Sequence, residues 1–400
     1  MKSKFIFICY SLIALFAISC DKETLIDPDY RSDAMGPNSG TNARKQNLEM
    51  LTEGTLVNVQ IHSPALEGNL LGDPSDRSVN IYLPKSYYAT PGKRFPVIYF
   101  LHGMPASENS LIDPIPFEVF RQMAQLQAPV DFPEEGFTSW VNGLIDHEGM
   151  NEVIIVMPNA ANKYALSCYT NSSVQGRYED YIVKDLVSYI DAHYRTIPNF
   201  NFRAVTGHCM GGYGAMRIAM KNPHIFGYVA ALSPAILPEE SVLFIAQYIL
   251  MEQQIWGFTG PTPYNPSLPF KFATNSLYSF AAAWLPNPDN PPYFVDLPFT
   301  YVNGTPEPNA ELMAQWNAQS LFALVTDHQK GLDKLRSIYF DCGMNDDLMM
   351  YPPNQVLHEL MMNMNVQHQF EIYEGTHISH LYDRLGKVLI DFSSEFPGEN

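Results

Sequence analysis

Apolar and polar residues alternate over Leu56-Val57-Asn58-Val59-Gln60-Ile61 and over Ser78-Val79-Asn80-Ile81-Tyr82-Leu83, the period of strands with one buried face. The segments 95–101 and 153–158 are instead nearly unbroken apolar runs, as strands buried on both faces should be. Residues 203–206, 229–232, 337–340 and 369–373 are four further strand candidates. The period changes at 178–194, where Ile182, Leu186, Ile190 and Tyr194 recur at helical spacing with charges on the opposite face. Strands alternating with helices over this length predict an α/β protein with a mostly parallel, doubly wound sheet. Residues 236–330, rich in Pro, Asn and aromatics, break the rhythm and read as a cap-like insertion between two core strands.

The first twenty residues follow a different logic. Lys2 and Lys4 precede an apolar run from Phe5 to Ile18, which ends in Ala17-Ile18-Ser19-Cys20. A run this short, closed by small residues, reads as a signal peptide rather than a membrane span. It resembles a bacterial lipoprotein signal, which implies that residues 1–19 are removed and Cys20 is lipidated. The other reading is an ordinary secretory signal followed by a coincidental cysteine. Both predict export, and lipidation adds anchoring to a bacterial membrane. Residues 20–53 are polar, with Gly, Pro, Asn and Ser and no apolar period, and read as a flexible tether. The folded domain is expected over 54–400.

Composition narrows the partners. The 400 residues are 46% hydrophobic and 16% charged, enough apolar surface for a large core. The net charge of -18 offers no basic face for a phosphate backbone, which argues against nucleic acid. Of five cysteines, Cys9 leaves with the signal and Cys20 takes lipid, so Cys168, Cys209 and Cys342 remain. An odd number leaves at least one free thiol.

The strongest chemical signal is Gly207-His208-Cys209-Met210-Gly211-Gly212, between a short strand and a helix rich in small residues. It has the context of the nucleophile elbow G-x-S-x-G, with cysteine at the nucleophile's position. Glycines belong two residues either side because side chains there would collide in the turn. A helix N-terminus favours a thiolate through its dipole and free amides. The bland alternative is a small buried residue in a glycine-rich turn.

Together with Ser78–Pro84, Tyr99-Phe100-Leu101-His102-Gly103, the segment 178–186 and Val229–Pro234, the elbow resembles the esterase D-like family. That family includes feruloyl and acetylxylan esterases and S-formylglutathione hydrolases. The resemblance implies an α/β-hydrolase fold over most of 55–395 and acyl-transfer chemistry. The departure is Cys209, where the family has serine. The family order then points to Asp346, in Gly343-Met344-Asn345-Asp346, as the acid, with Asp347 as its neighbour and rival. It points to His377, in Tyr373-Glu374-Gly375-Thr376-His377, as the base, with His380 as rival. By the same resemblance, the backbone N–H groups of Met104 and Met210 receive the oxyanion, and His102 is structural.

The expected enzyme is therefore an exported, lipid-anchored ester hydrolase with a Cys-His-Asp triad. Small-molecule or carbohydrate-linked esters are its expected substrates. Its mechanism requires no metal and no organic cofactor. An acyltransferase using the same thioester, and a degenerate esterase that only binds, are the alternatives. Met349, Met350, Met361, Met362 and Met364 read as packing residues.

Overall fold

The computed structural model describes residues 53–398 apart from 105, 125, 127–128, 258–259, 266 and 269–270. The signal segment, Cys20 and nearly all of the tether lie outside the described residues. One sheet holds eight strands: β1 (Thr55–His62), β2 (Asp76–Leu83), β3 (Val97–Leu101), β4 (Ile154–Pro158), β5 (Arg203–His208), β6 (Tyr228–Leu232), β7 (Ser337–Gly343) and β8 (Gln369–Tyr373). Their order across the sheet is β1-β2-β4-β3-β5-β6-β7-β8. β2 runs antiparallel to β1 and β4, and the other neighbouring pairs are parallel. Every strand that the sequence pattern predicts lies in this sheet.

The unbroken apolar runs have the explanation their pattern suggests. Along β3, Val97, Tyr99 and Leu101 face one core layer, while Ile98 and Phe100 face the other. Helices α1 (Ile115–Ala124) and α2 (Phe137–His147) lie on the second face. α3 (Val187–His193) and α4 (Met210–Lys221) cover the first. Burying each such aliphatic side chain contributes about 1.5–3 kcal/mol, so strands buried on both faces need no polar alternation.

The 178–194 segment forms its helix with a difference. Tyr178–Asp180, Tyr181–Leu186 and Val187–His193 run on from one another, the middle part wound as a π-helix. Ile182, Leu186 and Ile190 are buried as predicted, whereas Tyr194 lies past the end in extended backbone. The charges are not all on the solvent face. Glu179 is 7% exposed and pairs with Lys221 at 2.5 Å and Arg217 at 3.5 Å, both on α4.

Residues 236–330 fall between β6 and β7. They build α5 (Glu239–Trp256), α6 (Phe272–Trp284), a hairpin of Phe299–Val302 with Thr305–Pro308, then α7 (Ala310–Asn317) and α8 (Leu321–Asp327). The hairpin turns on Asn303 and Gly304, both at positive φ, the Asn-Gly signature of a tight primed turn. Trp284 meets Trp316 edge-on at 4.7 Å and tilts over Tyr213 of α4 at 5.6 Å. Aromatic pairs of this kind add about 0.5–1.5 kcal/mol each beyond area burial, and here they fix the insertion to the helix behind the elbow. Helix α9 (Tyr351–Asn363) links β7 to β8, and α10 (Leu381–Glu395) closes the chain.

Because Arg217 is 6% exposed, Glu179→Ala leaves a buried guanidinium without its carboxylate. A loss of about 3–5 kcal/mol is expected in urea denaturation, largely restored by adding Arg217→Leu. Equal losses for the single and double variants would contradict this account of the helix pair.

Candidate active site

Strand register brings the chemistry-bearing loops to one edge. Leu101 at the tip of β3 pairs with Gly207 of β5, and His208 pairs with Leu232 of β6. Leu232 in turn pairs with Asp341 of β7. The loops after β3, β5, β7 and β8 therefore open at the carboxyl ends of the parallel strands, where open α/β sheets place ligands.

Cys209 caps the N-terminus of α4 with φ 59° and ψ -122°, a strained conformation for a residue with a side chain. Its N–H donates to Leu232 O at 2.9 Å, and its carbonyl accepts from Ala235 N at 3.1 Å and Tyr213 N at 3.0 Å. The flanking glycines are sterically required. A Cβ on Gly211 would lie 1.8 Å from Leu101 O, and one on Gly207 would lie 2.5 Å from the same oxygen. Gly212 has slightly more room, its nearest contacts standing at 3.2 Å. The N–H of Met210 is the first of α4, where helix geometry supplies no intrahelical acceptor. Cys209 itself is 7% exposed.

Asp346 and His377 meet beside this turn. Asp346 Oδ2 lies 2.7 Å from His377 Nδ1, with both side chains fully enclosed. Asp346 Oδ1 accepts from the amides of Leu348 at 3.0 Å and Met350 at 3.2 Å. Burial pushes Asp346 upward, but His377 and these amides more than reverse it and hold it below the usual carboxylate range. Asp347 Oδ1 accepts from the backbone N–H of His377 at 3.3 Å and so steadies the loop.

For His377, burial works against protonation, yet Asp346 and Cys209 lift its pKa well above the ordinary histidine value. Its Nε2 is buried with no partner at full hydrogen-bond geometry. The Cys209 thiol is nonetheless near enough to act on it, the loose arrangement common before substrate is bound.

His208, inside the elbow, holds the base loop rather than reacting. Its Nε2 donates to His377 O at 2.9 Å. Burial, then the neighbouring His377 and Arg384, keep it well below the ordinary histidine pKa and thus neutral. His102 does the same for the loop after β3. It accepts from Ala160 N at 2.9 Å through Nε2 and bonds Gly103 O at 2.8 Å through Nδ1, while Tyr169 O–H donates to His102 O at 2.6 Å. Gly103 packs so tightly that a Cβ would stand 2.9 Å from Cys209 Cβ, which brings Met104 next to the elbow.

Sequence reasoning missed the support beneath His377. Arg384 donates to Asp341 Oδ1 at 2.8 Å, Ser233 Oγ at 3.2 Å, Ser379 O at 3.1 Å and His377 O at 3.4 Å. It also lies over the Tyr373 ring at 4.4 Å, and Tyr373 O–H donates to Thr376 O. One signal was present: Arg384 falls on the same helical face as Leu381, Leu385 and Val388, where a charge must be paired.

Other expectations need correction. Met350 and Met361 are buried, but Met349 and Met362 are among the more exposed apolar residues. Met349 sits at φ 63° in the turn that wraps Asp346, so its position answers to that turn and not to packing. Cys168, Cys209 and Cys342 are all free and buried, and Cys342 Sγ faces Asp346 Oδ2 at 3.7 Å. His380 lies outside the pair, capping α10 at φ 55° with Asp383 at 3.6 Å. Asp131 comes close to both from a distant part of the chain, giving an exposed acid-histidine group that the sequence did not reveal. Exposed carboxylates of this kind are usually simply hydrated.

The sheet order, with the Cys209, Asp346 and His377 loops at its carboxyl edge, defines the α/β-hydrolase fold. A model of the "Putative esterase" family matches residues 73–399, and the chain belongs to that family. Esterase MT1326 and Esterase Rv1288 of Mycobacterium tuberculosis are each 28% identical over 195 residues, 48% of this chain and 36% of theirs. The match thus spans about a third of those longer proteins. Among solved structures, a ferulic acid esterase superposes with a TM-score of 0.54 at 20% identity, covering 86% of this chain and 98% of its own. An S-formylglutathione hydrolase from Agrobacterium tumefaciens gives 0.52 at 14% identity, covering 86% and 96%. These similarities concern the fold.

His102, fully buried, has its pKa pushed down to about 4 by desolvation. A group depressed this way binds its proton more readily when unfolded. It therefore costs stability as pH falls from about 6.5 toward 4, by roughly 3 kcal/mol in full. His208 acts with the same sign. The unfolding free energy should decline over that window, and His102→Gln should flatten the decline measured by denaturant titration at a series of pH values. An unchanged slope in the variant would refute the assignment of His102 as a buried neutral group.

Proposed function

We propose that the chain is an exported, lipid-anchored carboxylic ester hydrolase that works through Cys209, His377 and Asp346. The observation that carries this reading is the 2.7 Å contact of Asp346 with His377 Nδ1, which leaves Nε2 unpartnered beside a strained elbow residue. His377 Nε2 takes the Cys209 proton as sulfur attacks the ester carbonyl. The oxyanion rests on the amides of Met104 and Met210, and the alcohol leaves with the proton from His377. Water, deprotonated in turn by His377, then attacks the thioester to release the acid and restore the thiol. The residues present complete this cycle.

Acyl groups on carbohydrates are the proposed substrates. This choice is supported by the name of the ferulic acid esterase whose fold the chain shares and by the lipoprotein-like N-terminus, which suits work at a cell surface.

Incubation with p-nitrophenyl acetate followed by intact-protein mass spectrometry should show one acetyl group on Cys209. His377→Ala should lower the acylation rate by about 10²–10⁴-fold. Cys209→Ser should lower turnover if the site is tuned for sulfur, and raise it from near zero if the native protein is a degenerate esterase. Faster release of the acetyl group on adding an alcohol or amine marks an acyltransferase. Failure of both nucleophiles to acylate in a folded protein would leave only a binding role.

The anchoring part has its own check. In a bacterial host the full chain should partition with membranes, and Cys20→Ala should abolish lipid labelling. A mature protein that is soluble and unlipidated would overturn it.

A further inference from the structure

A cavity of about 320 Å³ opens beside the loop that follows β3. Its lining includes Asp73 from the β1–β2 connection, Arg77 from β2, Ser107 and Glu108 beyond β3, Asn159 and Lys163 beyond β4, and Tyr264 from the insertion. The volume is at the small end of the range for ligand pockets. Most of the residues that line it are polar or charged, although their apolar atoms supply about as much of the wall as their polar ones.

Part of the lining is a fixed frame. Arg77 donates to Asn159 Oδ1 at 2.7 Å, Asn159 O at 3.2 Å and Ala161 O at 2.5 Å. Asn159 Nδ2 passes the chain on to Glu108 Oε2 at 2.6 Å. Tyr264 N–H bonds Lys163 O at 3.1 Å, so the insertion closes one wall. Within this frame one acceptor is left over: Asp73 Oδ2 is buried and has no hydrogen-bond partner among the described residues. Burial pushes the Asp73 carboxyl up to about 6, and Arg77 and the backbone N–H and charge of Lys163 offset that desolvation only in part. Two carboxylates, Asp73 and Glu108, face two cations, Arg77 and Lys163, which leaves the lining close to neutral.

The cavity also adjoins the catalytic edge. Ser107 is three residues from Met104, at most about 11 Å along the chain. The turn carrying Asn159 and Ala161 is bonded through Ala160 N to His102, next to Gly103.

We propose that this cavity binds a neutral polyhydroxyl group, the sugar on the alcohol side of the ester, with Asp73 Oδ2 accepting a ligand hydroxyl. The assignment rests on the ester-hydrolase reading of Cys209 and gives it a leaving-group subsite. A neutral, hydroxyl-rich ligand matches the balanced charge, the unused acceptor and the amide and hydroxyl lining. A strongly charged ligand would leave one pair of side chains opposed.

The test uses the full exported chain with Cys209→Ala, so that binding is read without turnover, and methyl β-D-xylopyranoside as probe by saturation-transfer NMR. Saturable binding is expected, weakened about tenfold by Asp73→Ala, the loss of a hydrogen bond to a charged acceptor. Lys163→Met, at an exposed position, should weaken it as well without affecting folding. Absence of binding up to roughly 10 mM, or equal binding by Asp73→Ala, would overturn the proposal. With Cys209 intact, Asp73→Ala should lower the ratio of kcat/KM for an acetylated methyl xyloside to that for p-nitrophenyl acetate by about tenfold. An unchanged ratio would refute the leaving-group placement. If neither ester acylates Cys209, the hydrolase reading fails, while the glycoside titration still decides the cavity.

Discussion

The close approach of the β3 tip to the β5–α4 turn is the constraint on which the site depends. Leu101 O fills the space where side chains on Gly207 and Gly211 would lie, and Gly103 touches the Cβ of Cys209. The Leu101 backbone can come this near only because the residues facing it, Gly207 and Gly211, carry no Cβ. The contact holds the loop after β3 against the turn in which Cys209 adopts its positive φ. Sheet pairing supplies the rest, since Leu101 and Gly207 are ladder partners and cannot shift singly.

The histidine loop needs a different kind of support, because β8 is an edge strand and the loop that follows it has no ladder partner beyond. Its carbonyl at His377 is held by His208 from the elbow and by Arg384 from α10. Arg384 is anchored on Asp341, at the end of β7, just ahead of the Asp346 turn. The elbow, the acid strand and the base loop are therefore connected through one buried polar group. A fully satisfied network in a low-dielectric interior is rigid, and leaving one member unpaired is costly. The positions of Cys209 and His377 are consequently coupled through His208 and Arg384, which both bond the His377 carbonyl.

Eight strands and the elbow were legible because each is a local pattern: period two, unbroken apolar runs, or glycines at fixed offsets. The acid and base loops were legible only through the family resemblance, since an aspartate after a strand has no local signature that separates Asp346 from Asp347. The structure separates them by what each touches, the imidazole ring or the backbone amide. Glu179, Asp341 and Asp131, and the partners of Arg384, were illegible for one physical reason. Their roles depend on partners tens to hundreds of residues away, and sequence spacing carries no such distance. The Asn303-Gly304 turn is the opposite case, a local hairpin signal hidden in a stretch whose composition suggested irregular structure.

The cysteine bears on how the whole site is to be understood. A strained residue such as Cys209 costs about 1–3 kcal/mol. A buried imidazole nitrogen without a partner costs a similar amount. An enclosed Asp–His pair adds desolvation of its own. None of these terms helps the fold, because an apolar residue at 346 or 377 would fill the same volume without a charge to desolvate. Costs of this kind accumulate where activity requires them, and they are all still present around Cys209. On the proposed mechanism, sulfur needs less help than a hydroxyl to lose its proton, and the thioester it would form readily passes its acyl group on. The geometry that positions His377 and the two amides applies equally to both, so the rate-limiting step, and not the architecture, is where the substitution should be felt.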